Sequence, residues 1–421
     1  MTKKTILIAV CIATLLSSCA QRPNQPNVVI HQDIPVCKKQ APIAPPQKVE
    51  VGVYHPEDET VNFEPVTPVY MPEPVVEYKP IPVAHITYQP TKPKTVIENK
   101  FHRLTENASR YWGKTHTLTP SNHQLVKYLD KYQSRAHIDF IHNQLTVSTV
   151  DQINSKQKLQ QAIVAALLMP DNPNEVDVFS DKQIILDGEP FLFGQVKDQD
   201  HKDIRWKWRA NRFADYLIQH RLKSKKIESG TLWYVDIPLV TNNLKLREYK
   251  YSSIVRKAAK KYGIQEDLLY AIIKTESSFN PFAISHAGAY GLMQVIPSTA
   301  GADVFSRLKH RNDKPTAKYL FNAYNNIDTG AGYFYILKNQ YFKNLKNDTS
   351  RTYSMISAYN GGSGAVYNVF NHNRELATKR LNTLPSHTVY HDLTTKHPQQ
   401  EARNYLKRVV QYKKDFNNGK I

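Results

Sequence analysis

The residue best placed to do chemistry in this chain is a glutamate at the end of an apolar helix. The run Glu266-Asp267-Leu268-Leu269-Tyr270-Ala271-Ile272-Ile273-Lys274-Thr275-Glu276-Ser277 carries its apolar stripe at Leu268, Leu269, Ile272 and Ile273. Glu276 falls three residues after Ile273 and four after Ile272, so helical spacing continues the buried stripe through it. A carboxyl group on such a stripe is costly to ionise. Its pKa should rise toward the range that a general acid needs near neutral pH. Periodicity alone equally allows a glutamate that turns outward from a fraying helix end.

The helix stops at Ser277-Ser278-Phe279-Asn280-Pro281, and Ser285-His286-Ala287-Gly288-Ala289-Tyr290-Gly291-Leu292-Met293-Gln294 follows. Farther on stand Ala358-Tyr359-Asn360 and Glu401-Ala402-Arg403-Asn404-Tyr405. The ordered set Glu276-Ser277, Gly291-Leu292-Met293-Gln294 and Ala358-Tyr359-Asn360 resembles the lysozyme-like domain of the soluble lytic transglycosylase family. Upstream, Tyr132-Gln133-Ser134-Arg135-Ala136-His137-Ile138, Glu189-Pro190-Phe191-Leu192-Phe193-Gly194-Gln195-Val196 and Phe213-Ala214-Asp215-Tyr216-Leu217 resemble the subgroup of membrane-bound lytic murein transglycosylases C. The likeness runs from Phe101 to Asp415, and the long proline-rich segment before it departs from the subgroup's pattern.

What the resemblance implies is an α+β chain, with a small mixed α/β module followed by an all-α, goose-type lysozyme-like catalytic domain. It also implies non-hydrolytic cleavage of the MurNAc–GlcNAc β-1,4 bond of peptidoglycan, leaving 1,6-anhydroMurNAc ends. Glu276 would be the catalytic acid, and Ser285 and Gln294 would position the sugar and its N-acetyl group. Tyr359 and Asn360 would stabilise that group in the transition state, with Tyr405 near the acid. The partner is the glycan strand, with no cofactor, metal or nucleic acid.

Two-carboxylate glycosidases need a second acid, and none belongs to these motifs. Asp267 faces the other side of its helix, and Asp303, Asp313 and Asp328 sit in segments without a motif. Leu292 and Met293 read as core, and Ser277 as satisfying local backbone. A non-catalytic peptidoglycan-binding lipoprotein and a hydrolytic lysozyme stay open as alternatives, the latter giving a product heavier by one water.

The elements that must hold these residues fall into two blocks. From residue 101 to 245 the pattern is mixed. Ala136 to Ile141 and Leu145 to Val150 alternate around His142-Asn143-Gln144, which predicts a hairpin. Lys156 to Met169 and Trp206 to Leu222 have helical spacing, the latter through Trp208, Phe213, Tyr216 and Leu217. Gln183 to Leu186, Pro190 to Val196 and Thr231 to Pro238 read as extended. From 246 to 421 helices are expected at Tyr251 to Tyr262, Glu266 to Ser277, Asp328 to Phe342, Ser350 to Tyr359, Gly364 to Phe370 and Glu401 to Asp415.

Before these blocks, Lys3 and Lys4 precede the apolar run Ile6 to Leu16, the layout of a secretory leader over residues 1–18. Leu16-Ser17-Ser18-Cys19 resembles a bacterial lipobox, which makes Cys19 the lipidated residue, and Ala20 after it points to the outer membrane facing the periplasm. Fifteen of the 25 prolines lie between Pro23 and Pro93, so residues 19–100 read as an extended tether. Cys37 is then left alone in an oxidising compartment. The net charge of +19 on an exported chain is directed at anionic wall and membrane surfaces, not at nucleic acid.

Overall fold

The computed structural model describes residues 96–419, so the leader, Cys19, Cys37 and the proline-rich segment lie outside the described residues. The first block is built on a five-stranded antiparallel sheet of β1 Gln124–Leu129, β2 Ser134–Asp139, β3 Gln144–Thr149, β4 Lys223–Ile227 and β5 Gly230–Pro238, in the order β1-β2-β3-β5-β4. The expected hairpin is β2–β3, closing at the pair Asp139 and Gln144. Three helices flank the sheet: α1 Val96–His116, α2 Ser155–Leu167 and α3 Lys207–His220. Alternation along β1 divides the core into two layers. Leu125 and Leu129 pack with Leu159, Ile163, Phe213 and Leu217 of α2 and α3, while Val126 and Tyr128 pack with Leu104, Ala108 and Trp112 of α1.

Several details differ from the sequence reading, each for a local reason. Helix α1 begins at Val96, inside the stretch assigned to the tether, because Ile97, Phe101, Leu104, Ala108 and Trp112 form a buried stripe. Strand β1 was missed because both of its faces are buried and Lys127 interrupts the apolar run. That lysine is only 1% exposed and donates to the carbonyls of Asp177 (2.9 Å) and Ser180 (2.7 Å). Strand β4 is an exposed, lysine-rich edge with no apolar rhythm. Gln183 to Leu186 and Pro190 to Val196 form no strand. Pro190 and the positive φ of Gly194 turn the second segment into successive bends. Trp208 leaves the α3 stripe at the helix's first turn and is 57% exposed, with the Arg209 guanidinium over its ring.

The second block is helical: α4 Asn243–Tyr262, α5 Glu266–Ser277, α6 Ala302–Lys309, α7 Ala317–Leu320, α8 Ala323–Ile336, α9 Asp348–Gly361, α10 Ser363–Phe370, α11 Arg374–Thr383, α12 Ser386–Thr395 and α13 Gln400–Asn417. Helix α5 has the bounds its pattern predicts. Leu268 through Ile273 are all buried, so this helix runs through the core, where α4 and α13 pack against it. Helices α6, α7, α11 and α12 were not foreseen, being short and largely polar; α11 buries only Ala377 and Leu381.

A buried seam joins the blocks. Phe282, in the loop after α5, enters the sheet-side core and meets Phe191 edge-on at 5.2 Å. Arg247 of α4 is 2% exposed, donates to Gln195 Oε1 (2.9 Å) and Ser278 O (3.2 Å), and lies 4.9 Å over the Phe140 ring. Helix α4 starts at Asn243, before the expected helix and before the expected block boundary at 246, where buried Asn243 donates to Val240 O at 2.6 Å and accepts from Arg247 at 2.7 Å. Apolar periodicity cannot register a buried Asn243 or Arg247.

Candidate active site

Glu276 occupies the last turn of α5, partly buried at the base of a cleft of about 600 Å³. Its neighbour Ser277 is fully buried and its hydroxyl lies 3.0 Å from the carbonyl of Ile273 and 2.8 Å from that of Leu292. The Glu-Ser pair thus puts the acid in the cleft and ties its helix to the Gly-Leu-Met-Gln segment. The helix ends through Ser278 in the left-handed conformation (φ 51°), whose N–H caps Lys274 O at 3.0 Å.

The Gly-Leu-Met-Gln segment is held by one buried side chain that the sequence reading did not single out. Asn326 of α8 accepts from Met293 N (2.8 Å) and donates to the carbonyls of Tyr290 (2.7 Å) and Leu320 (2.8 Å). The position of Gly291 follows from this. Its φ is +72°, and a Cβ there would lie 2.6 Å from Leu320 O and collide with the Asn326 amide, so no side chain fits. Leu292 and Met293 are core residues, as expected. Gln294, with φ 47°, closes the turn and donates to Gly291 O at 3.0 Å, while its buried Oε1 has no protein partner.

All six predicted site residues line this one cleft: Glu276, Ser285, Gln294, Tyr359, Asn360 and Tyr405. Tyr405, on α13, donates to Glu276 Oε1 at 2.7 Å. Tyr359, at the end of α9, donates to Met293 O at 2.8 Å and stacks on Phe334 at 4.6 Å. Ser285 Oγ accepts from Ala289 N at 3.1 Å, leaving its proton free, and Asn360 is exposed at the rim. Burial, with the Glu276 charge nearby, holds both tyrosines well above pKa 10, so both stay protonated.

Burial pushes the Glu276 carboxyl up to about 7, against the opposing effects of the Tyr405 hydrogen bond and the Arg408 charge, with Glu401 adding to the rise. Near neutral pH this one group therefore exists in both protonation states. It can give a proton in one step and take one in the next. The other acids weighed from the sequence lie elsewhere in ion pairs. Asp267 bonds Lys413 at 2.7 Å, Asp313 bonds Arg311, Asp303 bonds Arg307, and Asp328 is clasped by Lys261 and Lys309.

Sequence reasoning missed two groups of cleft residues. Glu401 and Arg408 line it from α13 and form an ion pair at 2.5 Å. Their spacing around Tyr405, four before and three after, was a legible sign of one shared helical face. The other group comes from the sheet block: Asn122, His123 and Ile141 form part of the wall. His123 Nδ1 lies 3.1 Å from Ser278 Oγ, and the Asn280 amide donates to Asn122 O at 3.3 Å. No local pattern links residues more than 150 positions apart. Burial and the Arg408 charge hold the His123 imidazole below its ordinary value, so it is neutral at pH 7.

Two known families match parts of this chain. Residues 91–250 fit the family described as membrane-bound lytic murein transglycosylase C, N-terminal domain, and residues 253–382 fit the transglycosylase SLT domain. A Klebsiella pneumoniae protein named membrane-bound lytic murein transglycosylase C is 45% identical over 315 residues, covering 75% of this chain and 87% of that one. The chain belongs to the membrane-bound lytic murein transglycosylase C family. A Yersinia pestis member is 43% identical over 75% of this chain and 88% of its own. A solved lytic transglycosylase Slt from Pseudomonas aeruginosa aligns at 26% identity over 38% of this chain and 23% of its own, with a TM-score of 0.29. Among the described residues no helix is long and apolar enough to cross a membrane.

Proposed function

We propose that this family member cleaves the MurNAc–GlcNAc β-1,4 bond of peptidoglycan without water, with Glu276 as the single acid and base. The observation that carries the reading is a carboxyl with a pKa of about 7 at the base of the cleft, hydrogen-bonded to Tyr405. Protonated Glu276 gives its proton to the glycosidic oxygen as the C1–O bond breaks. The N-acetyl carbonyl attacks C1 to form an oxazolinium, so no protein nucleophile is needed. Glu276, now a carboxylate, takes the proton of the MurNAc 6-hydroxyl as that oxygen attacks C1, and the oxazolinium reopens. The carboxyl ends as it began, and the new end is the 1,6-anhydro sugar.

The remaining residues fit supporting roles. The proton of Tyr359 is committed to Met293 O, so its oxygen serves as an acceptor for the acetamido N–H. The unpartnered Oε1 of Gln294 is a second acceptor, and the Ser285 hydroxyl a donor. Asn360 contacts the sugar from the rim. Tyr405 steadies the carboxylate between the two proton transfers.

The chain would be lipidated at Cys19 and held on the periplasmic face of the outer membrane, with the residues from Cys19 up to α1 as the tether, α1 through β5 as the sheet module and α4 onward as the catalytic domain. Two or three acyl chains hold a protein stably where one does not. Cys19→Ala should therefore release active enzyme to the soluble periplasm; retention with membranes refutes the anchor. Mass spectrometry of digested sacculi tests the reaction itself. Anhydro ends support it, and ends heavier by one water establish a hydrolase instead.

A further inference from the structure

Helix α13 turns a charged face to the cleft as well as Tyr405. Glu401 and Arg408 flank that tyrosine at helical spacing and line the cleft with it. They are paired at 2.5 Å, yet their side chains are 62% and 42% exposed. An exposed pair of this kind contributes only about 0–1 kcal/mol, so Glu401 can be exchanged for another carboxylate at little cost. Arg408 is the only guanidinium among the described residues that line the cleft. Lys274, the lysine that lines the cleft, lies 4.0 Å over the Tyr412 ring. A guanidinium takes a carboxylate through two parallel hydrogen bonds, a geometry that a neutral sugar ring does not offer.

The geometry points to Arg408 as a carboxylate-receiving site for the anionic substituent of the glycan strand, with Glu401 filling it in the free enzyme. The inference rests on the transglycosylase reading and adds which part of the strand the cleft selects. In peptidoglycan the sugar rings are uncharged. Carboxylates are carried on a free lactyl ether where the stem has been removed, or on the peptide stem where it is present.

The test is calorimetric binding to the full chain carrying Glu276→Gln, so that ligand is not consumed. Three ligands separate the sources: chitotetraose with no carboxylate, an amidase-stripped muroglycan oligomer with lactyl carboxylates, and the same oligomer with its peptide stems. The parent is expected to bind at least one carboxylate-bearing ligand more tightly than chitotetraose. Adding Arg408→Gln should weaken that ligand tenfold or more and chitotetraose less than threefold, and the ligand affected names the source. Adding Glu401→Gln instead should leave that ligand bound at least as tightly, because the internal carboxylate is gone. Three results overturn the site: no preference in the parent, no selective weakening by Arg408→Gln, or a loss on Glu401→Gln that shows the pair merely braces α13. Failure of the reaction itself would be seen separately, as hydrated ends from the unmodified enzyme.

Discussion

Replacing Glu276 by Gln removes the acid and also removes the cost of ionising it. The two effects can be measured on one variant. The carboxyl titrates at about 7 in the folded protein against an ordinary 4.5. Below pH 4.5 it is protonated in both folded and unfolded chains and contributes nothing. As pH rises toward 7 the unfolded chain ionises while the folded one resists, and above 7 the native state carries the full cost. At about 1.36 kcal/mol per pH unit, the difference sets a ceiling of about 3 kcal/mol, and access of water from the open cleft lowers the expected effect to about 1–3 kcal/mol. Urea unfolding of both proteins at pH 4 and pH 8 is the assay. Glu276→Gln should match the wild type at pH 4 and exceed it at pH 8, while its clearing of sacculi falls at least about a hundredfold. A variant with no stability gain at pH 8 would refute the raised pKa. Activity above roughly a tenth of wild type would refute the role of general acid.

Tyr405→Phe removes a hydrogen bond that lowers the Glu276 pKa, so the pH–rate profile should move to higher pH, with slower turnover; an unmoved profile contradicts this. His123→Ala deletes the contact from the sheet block to the cap of α5 and should cost about 1 kcal/mol in urea unfolding, with a lower kcat. If activity is unchanged, the wall of the cleft contributed by that block is passive. Gly291→Ala places a methyl group where the Asn326 amide and Leu320 carbonyl sit, in a left-handed conformation, and should cost about 2–4 kcal/mol. A neutral result in thermal unfolding would mean that the turn can relax.

What the sequence determined by itself is the local chemistry of one helix and the order of its companions. The α5 stripe repeats at helical spacing and runs on to Glu276, so a glutamate in line with buried side chains was legible, while periodicity left open whether it turns outward. Gly291, Gln294, Tyr359 and Tyr405 were legible as a set only through resemblance, since nothing in their spacing brings α9 and α13 to α5. Tertiary structure decided everything that depends on contact between distant segments. It set the Glu276–Tyr405 bond, the committed proton of Tyr359, the clamp by Asn326 and the entry of His123 into the wall. It also decided which buried polar residues are core. Lys127 and Arg247 interrupt the apolar pattern that marks an interior, and they are tolerated because carbonyl and amide oxygens in other segments accept protons from the Lys127 ammonium and from Arg247 Nε and Nη1. Apolar periodicity records where a chain avoids water; it holds no record of which distant oxygen will take the place of water for a buried donor.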